Sequence, residues 1–140
     1  MIDLNEVQSF AQGGNRKCFI NPDNPQTCLK LMHKDLITDI KNQAVWYKKL
    51  RVKSSFDDNL REEKAYKQNA ISYASSDSIW NHLARWYGMV ETTLGPASET
   101  ELIQNNNKIA ETLETYLFRE GLTREIIDSI NTFESWLREH

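Results

Sequence analysis

The residues best suited to chemistry are a glycine pair, a lysine and a glutamate, met in that order along the chain. Gly13 and Gly14 open a polar stretch, Lys30 stands inside the apolar run Cys28-Leu29-Lys30-Leu31-Met32, and Glu62 lies in the charged run Arg61-Glu62-Glu63-Lys64. A glycine turn can lie over phosphate groups, a strand lysine can contact them, and a helix glutamate can orient that lysine, so the set suits phosphate binding. Each residue also has a plainer reading. Lys30 fits an exposed strand lysine on the face opposite Leu29 and Leu31, and Gly13-Gly14 fits a simple hairpin turn.

Other chemistries have weaker support. Cys18 and Cys28 have no His or Cys partner at metal-ligand spacing and read as two buried thiols in strands. His33, His82 and His140 are scattered. Asp35, Asp39, Asp57, Asp58 and Asp77 show no paired-metal spacing and read as helix caps and solvated faces. No nucleophile motif, zinc motif or Walker loop is present. The expectation is therefore no catalytic residue and no metal site.

The elements that position these groups change character along the chain. Up to Met32, turn residues such as Gly13-Gly14 and Asn21-Pro22-Asp23-Asn24-Pro25 separate short apolar segments, which predicts strands at Ile2–Phe10, Lys17–Ile20 and Thr27–Met32, the last two forming an antiparallel hairpin. From Asp35 a helical period follows through Ile40, Val45 and Leu50. Ser55 is placed to cap a second helix reaching about Ala74. A strand is expected near Trp86–Glu91, a hairpin at Thr92–Pro96, and a return strand at Glu99–Gln104. Asn105-Asn106-Asn107 reads as a loop capping a helix with the stripe Ile109, Leu113, Tyr116 and Leu117, ended by Gly121. Thr123 starts a last helix through Ile126, Ile130, Phe133 and Leu137, and the two should pack as a helical hairpin.

The 140 residues fit one domain, 1–140, with an α+β part at 1–104 and a two-helix part at 105–140. Seventeen Lys and Arg against twenty Asp and Glu give a net charge of −3, which argues against a nucleic-acid partner or an anionic membrane surface. The one basic run, Lys48-Lys49-Leu50-Arg51-Val52-Lys53, reads as a solvated helix end and would need Arg16 and Lys17 to make a patch. With no long apolar span and no signal-like start, the sequence reads as cytoplasmic. Trp46, Tyr47 and Trp136 are the candidate partner-binding aromatics, because tryptophan and tyrosine are enriched at interaction hot spots.

The order of glycine turn, hairpin with a lysine in its second strand, glutamate helix, two strands and two helices suggests a protein-kinase-like small lobe. The runs Gly14-Asn15-Arg16-Lys17-Cys18-Phe19, Cys28-Leu29-Lys30-Leu31, Arg61-Glu62-Glu63-Lys64-Ala65-Tyr66 and Tyr87-Gly88-Met89-Val90-Glu91-Thr92 resemble the family of the PhoP regulatory network protein YrbL, which is similar to protein kinases. The resemblance implies an antiparallel sheet with inserted helices, followed by a C-terminal helical hairpin. It makes Lys30 the phosphate-contacting lysine and Glu62 its partner, with Glu63 as fallback, and sets Glu101-Leu102-Ile103 in the strand leading to an adenine-side hinge. Ser98 and Glu99 depart from the apolar residues expected there.

In such relatives a helix like that at 125–140 leads into a catalytic loop containing Leu-Lys-Pro-x-Asn and then a metal-binding acid, and this chain has neither. With its opening methionine and charged end Arg138-Glu139-His140, it reads as a natural short protein. The resulting expectation is a non-catalytic regulatory module. It would act by contact with another protein or a second copy, as in an inhibitor of a bacterial or phage-related complex, without a cofactor of its own. The alternative is an ATP- and magnesium-binding kinase fragment whose catalytic half is missing or supplied by another chain.

Overall fold

A computed structural model describes residues 1–33, 57–68 and 77–139. These divide into two compact units, one of residues 1–33, 57–68 and 84–102, the other of residues 77–83 and 103–139. The helix expected from Asp35, the aromatics Trp46 and Tyr47, and the basic run at 48–53 lie outside the described residues.

The first unit is a five-stranded antiparallel sheet with one helix. Its strands are β1 (Ala11–Gln12), β2 (Arg16–Ile20), β3 (Thr27–Met32), β4 (Trp86–Thr92) and β5 (Gly95–Glu101), in the order β1-β2-β3-β5-β4. The helix, α1, is Asp58–Tyr66. The expected hairpin is β2–β3, which pairs Cys18 with Lys30 and Ile20 with Cys28. Both cysteines are free; Cys28 is buried and Cys18 half-buried.

Strand alternation gives the sheet two unlike faces. Phe19, Leu29, Leu31 and Ala97 point to one, where Leu4 joins them and Ile2, Val7 and Val90 pack against the cluster. The segment Ile2–Phe10, expected as a strand, covers this core instead as irregular chain. Leu4 and Val7 both turn inward, three residues apart, which a two-residue period cannot achieve. The Val7 N–H donates to the Leu4 carbonyl at 3.2 Å across a turn at Asn5-Glu6. Only Ile2 makes a bridge, parallel to Thr92. The opposite face carries Cys18, Lys30, Ser98 and Met89 in register across four strands.

Three further boundaries differ from the sequence reading. The return strand β5 begins at Gly95 and stops at Glu101, earlier at both ends than expected, and it accommodates Ser98 and Glu99 because both find hydrogen-bond partners. The helix α1 is capped by Asp57, not Ser55; its carboxylate accepts from the N–H groups of Asn59 and Leu60, and Lys67 caps the other end. Asn105–Asn107 is no helix cap. Asn106 and Asn107 take positive φ (51° and 61°) in the turn between β6 (Gln104–Asn105) and β7 (Lys108–Ile109), and asparagine tolerates that conformation better than most residues.

The second unit holds β6, β7, a 3₁₀ turn at Asp77–Asn81, and helices α2 (Leu113–Glu120) and α3 (Arg124–Glu139). Thr112 caps α2 and Gly121 ends it at φ 73°, while the Thr123 hydroxyl accepts from the Ile126 N–H. Ile109 belongs to β7, so the α2 stripe starts at Leu113. Neither helix has a fully buried residue; Tyr116, Leu117, Ile126 and Trp136 are half-buried, and the Tyr116 and Thr123 hydroxyls approach to 3.4 Å. No helix among the described residues is long and apolar enough to cross a membrane.

Leu29 is fully buried at the centre of the apolar face. Leu29→Ala is expected to cost about 2–5 kcal/mol by lost transfer energy and residual cavity, read as a lower urea midpoint for the first unit.

Candidate functional site

The polar face of the sheet converges on the Glu62 carboxylate. Lys30 in β3 donates to its Oε1 at 2.7 Å, and Arg16 in β2 donates to its Oε2 at 2.7 Å. The Ser98 hydroxyl in β5 donates to Oε2 at 3.2 Å, and Ser98 in turn accepts from the Trp86 indole N–H at 3.1 Å. Glu62 thus collects donors from three strands. The exposure of the Lys30 and Glu62 side chains, 20% and 16%, leaves the pair reachable from solvent.

The neighbouring contacts hold this arrangement in place. Asn59, the one buried residue of α1, donates to the Lys30 carbonyl at 2.8 Å and accepts from Arg16 at 3.3 Å. Tyr66 stacks on Trp86 with ring centroids 5.9 Å apart and donates to the Ala84 carbonyl. At the other end of α1, Asn15 donates to Asp58 at 2.7 Å. The helix is therefore tied to the sheet at both ends and in the middle.

Burial alone would raise the Glu62 pKa, but the Lys30 hydrogen bond and charge, followed by those of Arg16, outweigh it and hold the carboxyl below its ordinary 4.5. Burial, with Cys28 close by, pushes the Cys18 thiol upward despite the Lys30 and Arg16 charges, which leaves it protonated and a poor nucleophile. Burial and then the Glu62 charge raise the Tyr66 hydroxyl as well.

Lys30 and Glu62 are brought together, and Glu63 points elsewhere, to Lys67 at 2.6 Å. Gly13 and Gly14 form the turn before β2, with the Gly13 N–H donating to the Arg16 carbonyl and the His33 Nε2–H donating to the Gly13 carbonyl at 3.1 Å. Neither glycine has positive φ. Glu101 is not brought to the pair: it sits three residues beyond Ser98 in β5, on the alternate face, and its carboxylate accepts from the Arg85 N–H. Trp136 is half-buried in the second unit, its ring 5.2 Å from that of His82 and 5.8 Å from that of Phe133. Among the described residues no group of three His, Cys, Asp or Glu is placed to hold a metal ion.

Sequence reasoning missed Arg16, Asn59 and Ser98 as site residues. In the sequence Arg16 reads as a member of a possible basic patch and of the run at 14–19, and neither assigns it to Glu62. Ser98 was read as a departure from an apolar strand, whereas it is fully buried and bonded on both sides.

Residues 2–140 match the family described as PhoP regulatory network protein YrbL. The chain belongs to the YrbL family. No curated protein and no solved structure is similar enough to match. The runs at 28–31 and 61–66, two of those that carry the resemblance in the sequence, are the elements whose side chains meet at Glu62.

A carboxyl whose pKa falls on folding adds stability that is present above its unfolded value and lost as pH drops through the folded one. The stability lead of the wild type over Glu62→Gln should therefore be full above about pH 5 and shrink steadily as pH falls below about 4. Urea unfolding across that range checks it; a lead that stays constant would contradict the charged pairing.

Proposed function

We propose that this YrbL-family chain is a regulatory module whose first unit is a kinase-like small lobe that binds a nucleoside triphosphate. The observation that carries the reading is the 2.7 Å pair between Lys30 on the third strand and Glu62 on the following helix. In kinases a third-strand lysine contacts the nucleotide phosphates and a helix glutamate orients it. The glycine turn before β2 and the position of α1, between β3 and β4 in the chain, support the same reading. The proposal is for binding and its regulatory use, not for phosphoryl transfer. The family's description as a regulatory network protein accords with that use.

The test is thermal unfolding with and without millimolar magnesium ATP. A ligand held only by the folded state at one hundred times its dissociation constant adds about 2.7 kcal/mol of stability. The expected result is a clear upward shift in the wild type that Lys30→Met abolishes. Methionine keeps the aliphatic stem and leaves Glu62 its Arg16 partner, so the variant should remain folded. No shift, or a shift equal in both proteins, would overturn the reading.

A second reading, contact with a protein surface, is supported by α3. Ile127, Ile130, Phe133 and Leu137 recur at helical spacing and remain 41%, 45%, 38% and 55% exposed. With a second copy as the partner, self-association should rise with concentration in sedimentation velocity and weaken in Ile130→Glu. A monomer at every concentration would remove the second copy as that partner.

A further inference from the structure

Glu62 faces two cations, and one carboxylate balances only one of them. The other acids of α1 do not make up the difference. Asp58 is engaged by Arg61 at 3.2 Å, Glu63 by Lys67 at 2.6 Å, and Asp57 is spent capping the helix N–H groups. Among the described residues one positive charge is thus left over on the polar face of the sheet, where the Arg16 and Lys30 side chains are only 29% and 20% exposed. A half-buried surplus charge is costly until an anion completes it.

The donors are also incompletely used. Among the described residues Arg16 binds Glu62 and Asn59 through Nη1 alone, and the Lys30 ammonium makes one bond, to Glu62. The Nε–H and Nη2–H groups of Arg16 and two of the three Lys30 protons therefore have no bonded partner among them. A guanidinium presents a rigid fork that suits phosphate oxygens, while an ammonium acts as a point charge beside it. Glu62 fixes both heads at once, so little side-chain entropy remains to be lost when an anion arrives.

We infer that Arg16 is a second anion-binding residue, and that with Lys30 it forms a two-cation clamp, braced by Glu62, for a polyphosphate group. The inference deepens the nucleotide reading by assigning Arg16 to the phosphate chain, but the clamp chemistry is shared by nucleotides and free polyphosphate. Lys17 serves as a control. It is an exposed cation next in sequence to Arg16, on the alternate face of β2 beside Phe19 and Leu31.

The experiment is calorimetric titration of the full chain with inorganic tripolyphosphate and, separately, with magnesium ATP, at one fixed low salt concentration. Tripolyphosphate should bind the wild type, lose about tenfold or more in affinity in Arg16→Gln, recover only part of it in Arg16→Lys, and be unaffected by Lys17→Gln. Absence of tripolyphosphate binding to the wild type, unchanged binding in folded Arg16→Gln, or an equal loss in Lys17→Gln would each overturn the clamp. Should Arg16→Gln fail to fold, the Arg16 side-chain Nε–H resonance of the wild type decides. It shifts on adding tripolyphosphate, or the inference falls. ATP that fails to bind where tripolyphosphate does removes the nucleotide reading and leaves the clamp. ATP binding lost in Lys30→Met yet intact in Arg16→Gln keeps that reading and overturns the clamp.

Discussion

The carboxylate of Glu62 is the contact on which the arrangement of the first unit depends. A nine-residue helix is too short to persist alone in water, so α1 exists because it is docked. Its docking is unusual in composition. The one residue it buries is Asn59, a polar side chain, and its firmest ties to the sheet run through Glu62 to Arg16, Lys30 and Ser98. Where most amphipathic helices are placed by an apolar stripe, this one is placed by charge and hydrogen bonds, with the Tyr66–Trp86 stack closing its C-terminal end.

That mode of docking follows from how the sheet spends its residues. Leu29 and Leu31 supply the apolar face and leave Lys30 between them to face α1, so one strand serves both core and site. The buried polar groups on the site face are satisfied in pairs: Ser98 with Glu62 and Trp86, and Cys28 with Thr100 at 3.2 Å. On the other side Asn21 and Thr27 donate to Glu99 at 2.7 and 2.6 Å. These bonds explain how β5 carries Ser98, Glu99 and Thr100 in succession. A buried polar side chain is costly only when its partners are missing.

The sequence made some of this legible and concealed the rest for identifiable reasons. The β2–β3 hairpin was readable because turn residues stand between two apolar runs, and Lys30 and Glu62 were readable as charges in characteristic runs. Ser98 and Glu99 misled because strand patterns register hydrophobicity, while the partners that permit polar residues there come from positions 12 to 78 residues away. Ile2–Phe10 misled because its apolar spacing resembles a strand until Leu4 and Val7 must reach the same core. Arg16 escaped notice because nothing local distinguishes an arginine that meets a distant glutamate from one that faces water.

A single carboxylate that both docks a helix and orients two cations couples those tasks. Any anion that draws Lys30 or Arg16 toward itself redistributes the central bonds that hold α1, leaving the Asn59, Asn15–Asp58 and Tyr66 contacts to carry the docking. By linkage the proposed coupling would run in both directions: whatever stabilises α1 on the sheet would present the two cations ready-oriented, and whatever loosens α1 would weaken their hold on an anion. The Asn15–Asp58 and Asn59–Lys30 contacts extend this coupling to the glycine turn and to the backbone of β3. A module of this kind needs no catalytic step to act as a regulator. The position of one short helix can report whether the charge beside Glu62 has been met, and a helix placed by charge is better suited to that task than one locked by an apolar core.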